Sequence, residues 1–303
     1  MILLYHGVVP DDSPHARTCV GQAMTQSGFE RQIGWLATHR SIVSLAQYLA
    51  AVGQAGSRER QFVAITLDDG YGHTFDCVYP ILVKMNAPAA IFAATGHLDG
   101  GELLWFSYLK ALCFEDLHGA VEVAGRAYAF QKPGQRRAAW YGLRASAVAS
   151  GDPVRFCSEL AARYPLSSDI ASLYGGMTKE QLRKAADNPL FELGAHTMTH
   201  PILPRLSKEE QREEILGCRR FLSDSTGQPV RYFAYPGGEY DQDTVELVRA
   251  AGYEAAFAVV PRKLGAPLFE IGRVGVYSRS LFKLRLKATG CADVGRQFGP
   301  RVG

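Results

Sequence analysis

Short runs of consecutive apolar residues recur along the chain and alternate with stretches whose apolar residues fall at helical spacing. Runs of this kind, bounded by turn residues, are typical of strands covered on both faces. They occur at 2–5, 62–67, 89–94, 191–195, 232–235 and 255–260. Helices are predicted between them, at 79–85, 179–187, 208–223 and 243–251. Regular alternation of strand and helix indicates an α/β protein built on a parallel sheet or barrel.

Polar or glycine residues follow four of the predicted strands within two positions. His6, Asp68, His196 and Gly237 each stand at the end of an apolar run. In barrels of parallel strands, the carboxyl ends of the strands carry the active site. The sequence therefore predicts one site to which four distant segments contribute.

The alternation is interrupted between residues 99 and 177. This stretch contains a predicted hairpin at 121–130 and two predicted helices, around 135–149 and 153–163. A block of this size between a strand and the next helix is usually a lid or subdomain. We therefore divide the chain into a barrel formed by 1–98 and 178–276, an inserted lid at 99–177, and a C-terminal basic helix and tail at 277–303.

Two histidines separated by three residues, His196 and His200, and the adjacent carboxylates Asp68 and Asp69 are the candidate chemical groups. Imidazole and carboxylate together suit a divalent metal such as zinc. Three protein ligands with an open position are typical of a catalytic metal site. Each feature alone has a simpler explanation, since Asp before Gly is common in turns and histidines occur on surfaces. Their combination predicts a metal site that leaves one carboxylate free to act as a base.

Composition narrows the function only slightly. The 303 residues carry a net charge of +3 with 21% charged residues, and no basic cluster suited to nucleic acid is present. Six cysteines without a C-x-x-C pair predict reduced thiols. The start of the chain lacks the pattern of a signal peptide and no apolar run suits a membrane span, so we expect a cytoplasmic protein.

Three motifs resemble those of a known family. The sequence at 66–71, T-L-D-D-G-Y, resembles the T-F-D-D-G motif of the polysaccharide deacetylases, the NodB-homology or carbohydrate esterase family 4 type. The sequence at 196–201, H-T-M-T-H-P, resembles their H-[ST]-x-x-H-P motif, and 235–238 resembles their P-[YF]-G loop. The motifs occur in the family's order, and the resemblance covers the two predicted barrel segments.

The resemblance implies a deformed (β/α) barrel and a metal-dependent hydrolase that removes acetyl groups, mostly from N-acetylhexosamines. Carried over to this chain, Asp69, His196 and His200 would be the ligands of a divalent metal, with zinc as the expected ion. Asp68 would be the general base, and the backbone N–H of Gly237 would stabilise the oxyanion.

The chain departs from the family pattern at two positions. The arginine that tethers the catalytic aspartate in many members is replaced by Ala234, and Arg273 is our candidate for a substitute tether. The late leucine–histidine motif that supplies the acid is missing, because no histidine follows His200. A subgroup acting on poly-N-acetylglucosamine places the acid in a Y-H sequence on the first strand, and His6 fits that arrangement.

Aromatic and proline residues near the motifs are candidates for substrate contact, because aromatic faces suit sugar rings, although core packing is the simpler explanation of the aromatic ones. The candidates are Tyr235, Pro236, Tyr240, Trp105 and Phe106. The basic helix near 280–289 either packs on the barrel or contacts an anionic membrane surface or a pyrophosphate-linked substrate.

The expected partner is therefore an N-acetylated sugar in a glycan, a lipid-linked sugar or a glycoconjugate, with no nucleic acid and with peripheral contact to the inner membrane as an option. Two alternatives remain open at this point. One is an inactive carbohydrate-binding barrel, and the other is an amidohydrolase that acts on an amide outside sugars.

Overall fold

A computed structural model describes residues 1–13, 24–52, 61–115 and 118–288. The strands are β1 Ile2–Tyr5, β2 Val8–Val9, β3 Met24–Thr25, β4 Ser41–Ile42, β5 Phe62–Asp69, β6 Ala89–Ala93, β7 Ala120–Val123, β8 Arg126–Ala129, β9 Phe191–Ala195, β10 Tyr232–Ala234, β11 Ala255–Ala258, β12 Ile271–Gly272 and β13 Val274–Gly275. The α-helices are α1 Gln26–His39, α2 Leu45–Val52, α3 Gly72–Lys84, α4 Trp105–Phe114, α5 Pro133–Ala149, α6 Pro153–Arg163, α7 Ser168–Leu173, α8 Lys179–Ala186, α9 Lys208–Thr226, α10 Gln242–Ala250 and α11 Leu281–Ala288.

The main sheet is parallel and nearly closes on itself. Its strand order is β12-β11-β10-β9-β6-β5-β1-β13, with β4 paired to β5. The two edge strands are separated in sequence by Arg273 alone, whose N–H donates to the carbonyl oxygen of Ala258 at 3.1 Å. The chain thus passes from one edge of the sheet to the other at Arg273. The predicted deformed (β/α) barrel is confirmed.

Period-two alternation along the strands separates the barrel interior from the helix-packed exterior. The interior cluster contains Leu45 of α2 and strand residues that are mostly small or aromatic, namely Ile2, Ala64, Ala90, Phe92, Tyr232, Ala234, Ala255 and Phe257. Gly194 also belongs to this layer, because a Cβ there would lie 2.5 Å from the ring of Phe92. Asp68 and His196 have the same parity as Ala64 and Gly194. Both side chains therefore point into the top of the barrel.

The inserted segment packs largely on itself. The hairpin β7–β8 and helices α4, α5 and α6 bury a separate hydrophobic cluster drawn entirely from residues between Trp105 and Leu160. Its first helix, α4, also contacts the barrel through Trp105 and Phe106, as described below. Whether the segment opens and closes as a lid remains a prediction.

The C-terminal helix α11 packs on α1. The guanidinium of Arg285 lies 5.4 Å from the centre of the Trp35 ring, whereas the side chain of Phe282 is 68% exposed. The predicted tail after 288 lies outside the described residues. Within the described ranges, no helix is both long enough and apolar enough to cross a membrane.

Candidate active site and metal centre

Asp68 is held by a two-pronged ion pair at the end of β5. Arg273 donates from Nη1 to Oδ1 at 2.6 Å and from Nη2 to Oδ2 at 2.7 Å. Both side chains are buried, and the guanidinium lies 5.2 Å from the centre of the Phe92 ring. Burial alone would raise the pKa of Asp68, but the charge of Arg273, followed by that of His196, lowers it below its usual value. Asp68 is therefore ionised at neutral pH.

The predicted metal ligands lie together beside this pair. Asp69 Oδ1 is 3.7 Å from Nε2 of His196 and 3.7 Å from Nε2 of His200. All three ligand atoms lie within 4.8 Å of one another. Ligands bonded to one tetrahedral zinc at about 2.1 Å would be about 3.4 Å apart. The spacing is too long for hydrogen bonds and fits a shared cation.

Backbone geometry turns two of these ligands toward the cluster. Asp69 has φ 75° and His200 has φ 58°, both in the left-handed region that non-glycine residues seldom adopt. Such strain is typical of functional sites, where surrounding structure holds it in place. Because of this backbone conformation, the side chain of Asp69 does not point to the opposite face of β5 from Asp68, as strand alternation would require, but faces the same cavity.

His196 has its tautomer set by the barrel. Its Nδ1 lies 2.7 Å from the carbonyl oxygen of Ala234, so Nδ1 carries the proton and Nε2 presents its lone pair to Asp69 and His200. Nε2 also lies 3.8 Å from Oδ2 of Asp68. The candidate base is thus adjacent to the candidate metal ligands.

Glu214 of α9 holds the loop between the two histidines. Its carboxylate accepts hydrogen bonds from the N–H of Met198 at 2.7 Å, the N–H of Thr199 at 2.9 Å and the hydroxyl of Thr199 at 2.6 Å. The N–H of His200 donates to Thr197 Oγ1 at 3.1 Å. The sequence did not identify Glu214, because its contact depends on how α9 packs.

The ligand set is close to neutral without a cation. Burial, and next the charge of Asp68, raises the pKa of Asp69 to about 8. Burial lowers the pKa of His196, and burial followed by the charge of His196 lowers that of His200 well below its usual value. Both imidazoles therefore have free lone pairs at neutral pH, and a bound cation would favour the ionised form of Asp69.

Two further side chains support Asp69. His97 donates from Nε2 to the carbonyl oxygen of Asp69 at 2.8 Å. The hydroxyl of Tyr71 lies 2.6 Å from Oγ of Ser107, and the Tyr71 side chain acts to lower the pKa of Asp69 against the larger effect of burial. Tyr71 belongs to the T-L-D-D-G-Y motif at 66–71, but no role was predicted for its side chain. Neither residue could be assigned from spacing alone.

His6 lies at the end of β1 and faces the same cavity. Burial lowers its pKa to about 4, and the charge of Asp68 opposes this shift. Its buried Nδ1 has no hydrogen-bond partner among the described residues. Its ring lies 5.7 Å from that of Tyr277, which is 38% exposed and was not identified from the sequence. His6 is thus a neutral imidazole with an unused buried nitrogen.

Gly237 is exposed in the turn after β10 and has φ 62°. The backbone hydrogen bonds of this turn are donated by the N–H groups of Gly238 and Glu239. Among the described residues, no group accepts from the N–H of Gly237. This donor is available to a substrate oxygen.

The expectation that Tyr235, Pro236 and Tyr240 contact substrate is contradicted by their burial. Tyr235 and Tyr240 are 1% and 0% exposed and stack on each other with ring centres 4.3 Å apart. Tyr235 donates its hydroxyl to the carbonyl oxygen of Phe269 at 2.9 Å, and Tyr240 donates to the carboxylate of Glu270 at 3.2 Å. Neither ring has a free face for a sugar. These residues support the Gly237 turn from below.

Trp105 and Phe106 belong to the inserted segment and contact His200, one of the predicted metal ligands. Trp105 is buried and donates from Nε1 to the carbonyl oxygen of His200 at 3.1 Å. The half-buried ring of Phe106 lies 4.8 Å from the ring of His200. Trp105 therefore positions the loop, whereas Phe106 keeps an exposed edge beside the site. A substrate contact of Phe106 remains a prediction.

Known proteins resemble this chain in sequence and in fold. A profile of the family described as polysaccharide deacetylase matches residues 55–256. The putative polysaccharide deacetylase YxkH of Bacillus subtilis (strain 168) is 24% identical over 85 residues, which span 28% of this chain and 30% of that protein. The structure of the Streptococcus pyogenes deacetylase PplD in complex with acetate is similar at a TM-score of 0.60, with 16% identity over 94% of this chain and 95% of that one. The structure of IcaB from Ammonifex degensii has a TM-score of 0.59, with 19% identity over 95% of this chain and 96% of that one. This chain belongs to the polysaccharide deacetylase family.

Proposed function

We propose that this protein is a metal-dependent deacetylase that hydrolyses the N-acetyl group of an N-acetylhexosamine. The observation that carries the proposal is the buried ion pair of Asp68 with Arg273. Oδ2 of Asp68 lies 3.8 Å from Nε2 of His196, one of the predicted metal ligands. A buried carboxylate held ionised beside a divalent-metal site is what metal-assisted hydrolysis requires of its base.

Asp69, His196 and His200 would hold the cation, which we propose to be zinc. Two imidazoles and one carboxylate form a ligand set typical of catalytic zinc. When bound, the cation supplies Lewis acidity, which polarises the acetyl carbonyl and lowers the pKa of a nearby water molecule. Glu214 and Ala234 fix the loop and the tautomer that present these ligands.

Asp68 is the proposed base and accepts the proton of the attacking water. Arg273 occupies both carboxylate oxygens with N–H donors and thereby fixes the orientation of Asp68. Water attack on the acetyl carbon places negative charge on the former carbonyl oxygen. The N–H of Gly237 is the proposed donor to that oxygen, a type of contact that is stronger in the transition state than in the ground state.

His6 is the proposed acid. An amine leaves poorly unless it is protonated, so the breaking C–N bond needs a proton donor. Because burial holds the pKa of His6 near 4, its ring must gain a proton during the reaction before it donates one to the leaving nitrogen. Asp68, whose charge favours protonated His6, is the group that holds a proton after water attack.

The alternative of an inactive carbohydrate-binding barrel is less well supported by the site. Burying a carboxylate and a guanidinium costs free energy even when they are paired, and a binding surface gains nothing from doing so. The exposed aromatic surface expected of a sugar-binding module is also reduced here, because Tyr235 and Tyr240 are buried. The second alternative is an amidohydrolase that acts on an amide outside sugars, and assays with such amides as substrates decide between the two activities.

Acetate release from N-acetylglucosamine oligomers tests the proposal. Purified protein supplied with zinc should release one acetate for each free amine formed. Asp68→Asn should abolish release while still binding one zinc, whereas the exposed Asp224→Asn should retain wild-type activity. Zinc binding without acetate release from any N-acetylated sugar would refute the proposal. The cytoplasmic location and the membrane contact of α11 stay predictions.

A further inference from the structure

Tyr277 is an exposed aromatic residue that lies beside the proposed acid and takes no part in the proposed mechanism. In the ladder between β1 and β13, Leu4 pairs with Gly275, and the N–H of Val276 donates to the carbonyl oxygen of Leu4 at 2.8 Å. Continuing this register by two residues places His6 opposite Tyr277. The centres of their two rings are 5.7 Å apart.

A glycine makes room for the ring of Tyr277. A Cβ at Gly275 would lie within 2.6 Å of Cε2, Cζ and Oη of Tyr277, which is closer than Cβ atoms approach other heavy atoms in folded proteins. Gly275 does not have a positive φ. Contact with the phenol ring, rather than backbone conformation, therefore excludes a side chain at this position. The ring is folded back over the strand and occupies a defined place.

This place faces the proposed base. Residues spaced by two along an extended chain share one face, so Tyr277 lies on the same face as Gly275 and Arg273. On that face, the guanidinium of Arg273 donates to both carboxylate oxygens of Asp68. Partial burial, and next the charge of Asp68, raise the pKa of Tyr277 to about 12. The phenol is therefore uncharged at neutral pH and lies close enough to Asp68 for that charge to act on it.

Tyr277 differs from the tyrosines that support the Gly237 turn. Tyr235 is buried and donates its hydroxyl to the carbonyl oxygen of Phe269. Tyr277 is 38% exposed, and in the part of the chain that the structure describes its hydroxyl makes no hydrogen bond. Its ring thus keeps open surface beside His6, on the side of the cavity that the leaving amine has to enter.

We infer that Tyr277 binds the sugar of the substrate by packing the exposed part of its ring on the pyranose that carries the N-acetyl group. To receive a proton from His6, the leaving nitrogen has to lie within hydrogen-bond distance of the imidazole. The pyranose is one bond further away, within reach of a ring next to His6, and aromatic rings offer a large apolar contact area with a polar tip. The inference rests on the proposed function and makes Tyr277 the residue that favours a sugar amide over a linear one.

Steady-state acetate release from an N-acetylglucosamine oligomer tests the contact. The variants are Tyr277→Ala, Tyr277→Phe and the control Tyr141→Ala, which removes a tyrosine that is 39% exposed on α5. Tyr277→Ala should raise KM about tenfold, equivalent to about 1.4 kcal/mol, and change kcat by no more than about twofold. Tyr277→Phe keeps the ring, so its KM, like that of Tyr141→Ala, should stay within about twofold of the wild type.

The two kinetic constants distinguish sugar binding from support of His6. A ring that only positioned His6 would lower kcat when removed and leave KM unchanged, and this result would overturn the inference. Unchanged KM in Tyr277→Ala, or an equal rise of KM in Tyr277→Phe, would also overturn it.

Gly275→Ala moves the same ring without removing it. The added Cβ meets only the far end of the Tyr277 side chain among its three nearest neighbours, so the ring can move while the strand stays in place. KM for the oligomer should rise in Gly275→Ala. In the double variant with Tyr277→Ala, KM should equal that of Tyr277→Ala, because the displaced atoms are already gone. Additive increases in the double variant would contradict the inference.

A binding measurement separates this inference from the proposed function. The oligomer is titrated calorimetrically into Asp68→Asn, which should hold it without turnover, and into the same protein with Tyr277→Ala or Tyr141→Ala added. Affinity should fall about tenfold with Tyr277→Ala and stay unchanged with Tyr141→Ala. A loss confined to Tyr277→Ala supports the sugar contact even if the wild type releases no acetate. Equal affinity in all three proteins would refute it.

Discussion

Arg273→Ala should destabilise the protein and shift the acidic limb of its pH–rate profile to higher pH. The substitution leaves Asp68, which is 3% exposed, without either of its two guanidinium donors at 2.6 and 2.7 Å. Removing one member of a buried ion pair typically costs about 3–5 kcal/mol, because the other charge stays buried and unpaired. With an unfolding entropy of about 2.1 cal/mol/K per residue, that loss corresponds to a decrease in Tm of roughly 5–8 °C in a chain of this size.

The effect on activity follows from the same pair. With Arg273 present, the pKa of Asp68 lies below the usual value of an aspartate, so the base is fully ionised at neutral pH. Without Arg273, burial becomes the dominant influence and raises that pKa. The fraction of ionised Asp68 at neutral pH then decreases, and kcat/KM should fall by about 10²–10⁴, the usual contribution of a general base. Part of the activity should return as the pH is raised.

The measurements are thermal unfolding and the pH dependence of acetate release. Arg273→Lys keeps the charge but not the two-pronged geometry, so it should show a smaller pKa shift and a large loss of kcat. The exposed Arg220→Ala is the control for loss of positive charge. The double variant Asp68→Asn with Arg273→Gln should be more stable than Arg273→Ala, because no charge is left unpaired. Wild-type Tm and an unchanged acidic limb in Arg273→Ala would refute this reasoning.

Three further predictions concern the metal ligands and the aromatic residues. Glu214→Gln should weaken zinc binding about 10- to 100-fold, because the carboxylate that orients the histidine loop is lost. The control Glu213→Gln, at an exposed position, should leave zinc affinity unchanged. Equal zinc affinities of the two variants in a competition titration would contradict the role of Glu214. Zinc affinity should rise about tenfold per pH unit up to about pH 8 and then level off. Below this pH, Asp69, whose pKa is raised to about 8, is protonated and has to lose its proton when zinc binds. A zinc affinity that is constant between pH 6 and 8 in calorimetric titrations would contradict this. Tyr235→Phe should lower the free energy of unfolding by about 1 kcal/mol, because one hydrogen bond is lost, and should leave KM unchanged. Phe106→Ala should raise KM. A raised KM in Tyr235→Phe with an unchanged KM in Phe106→Ala would instead identify Tyr235 as the sugar contact.

Local sequence patterns predicted most of the elements. The capping box at Ser207 and Glu210 begins α9, and Gly227 in the left-handed conformation ends it three residues beyond the predicted end. Helix α3 was predicted too short, from 79, although it begins at Gly72. The polar residues of its first two turns hid the helical spacing. Patterns of apolar residues therefore identified elements better than their boundaries.

Long-range packing decided what the sequence could not. Arg273 was a candidate by type, but its contact with Asp68 depends on the chain crossing between the two sheet edges at that residue. Tyr235 and Tyr240 had the composition of a sugar platform, and only their stacking and burial exclude that role. Glu214 reaches the histidine loop because α9 packs beside it. None of these contacts has a signature in residue spacing.

The most direct test of the account is anomalous diffraction at the zinc absorption edge from crystals of the zinc-loaded protein. We expect one strong peak at about 2.0–2.2 Å from a carboxylate oxygen of Asp69 and from Nε2 of both His196 and His200. Asp68 should remain paired with Arg273 in the same crystals. A peak elsewhere in the protein, or no peak among these three side chains at saturating zinc, would contradict the central claim.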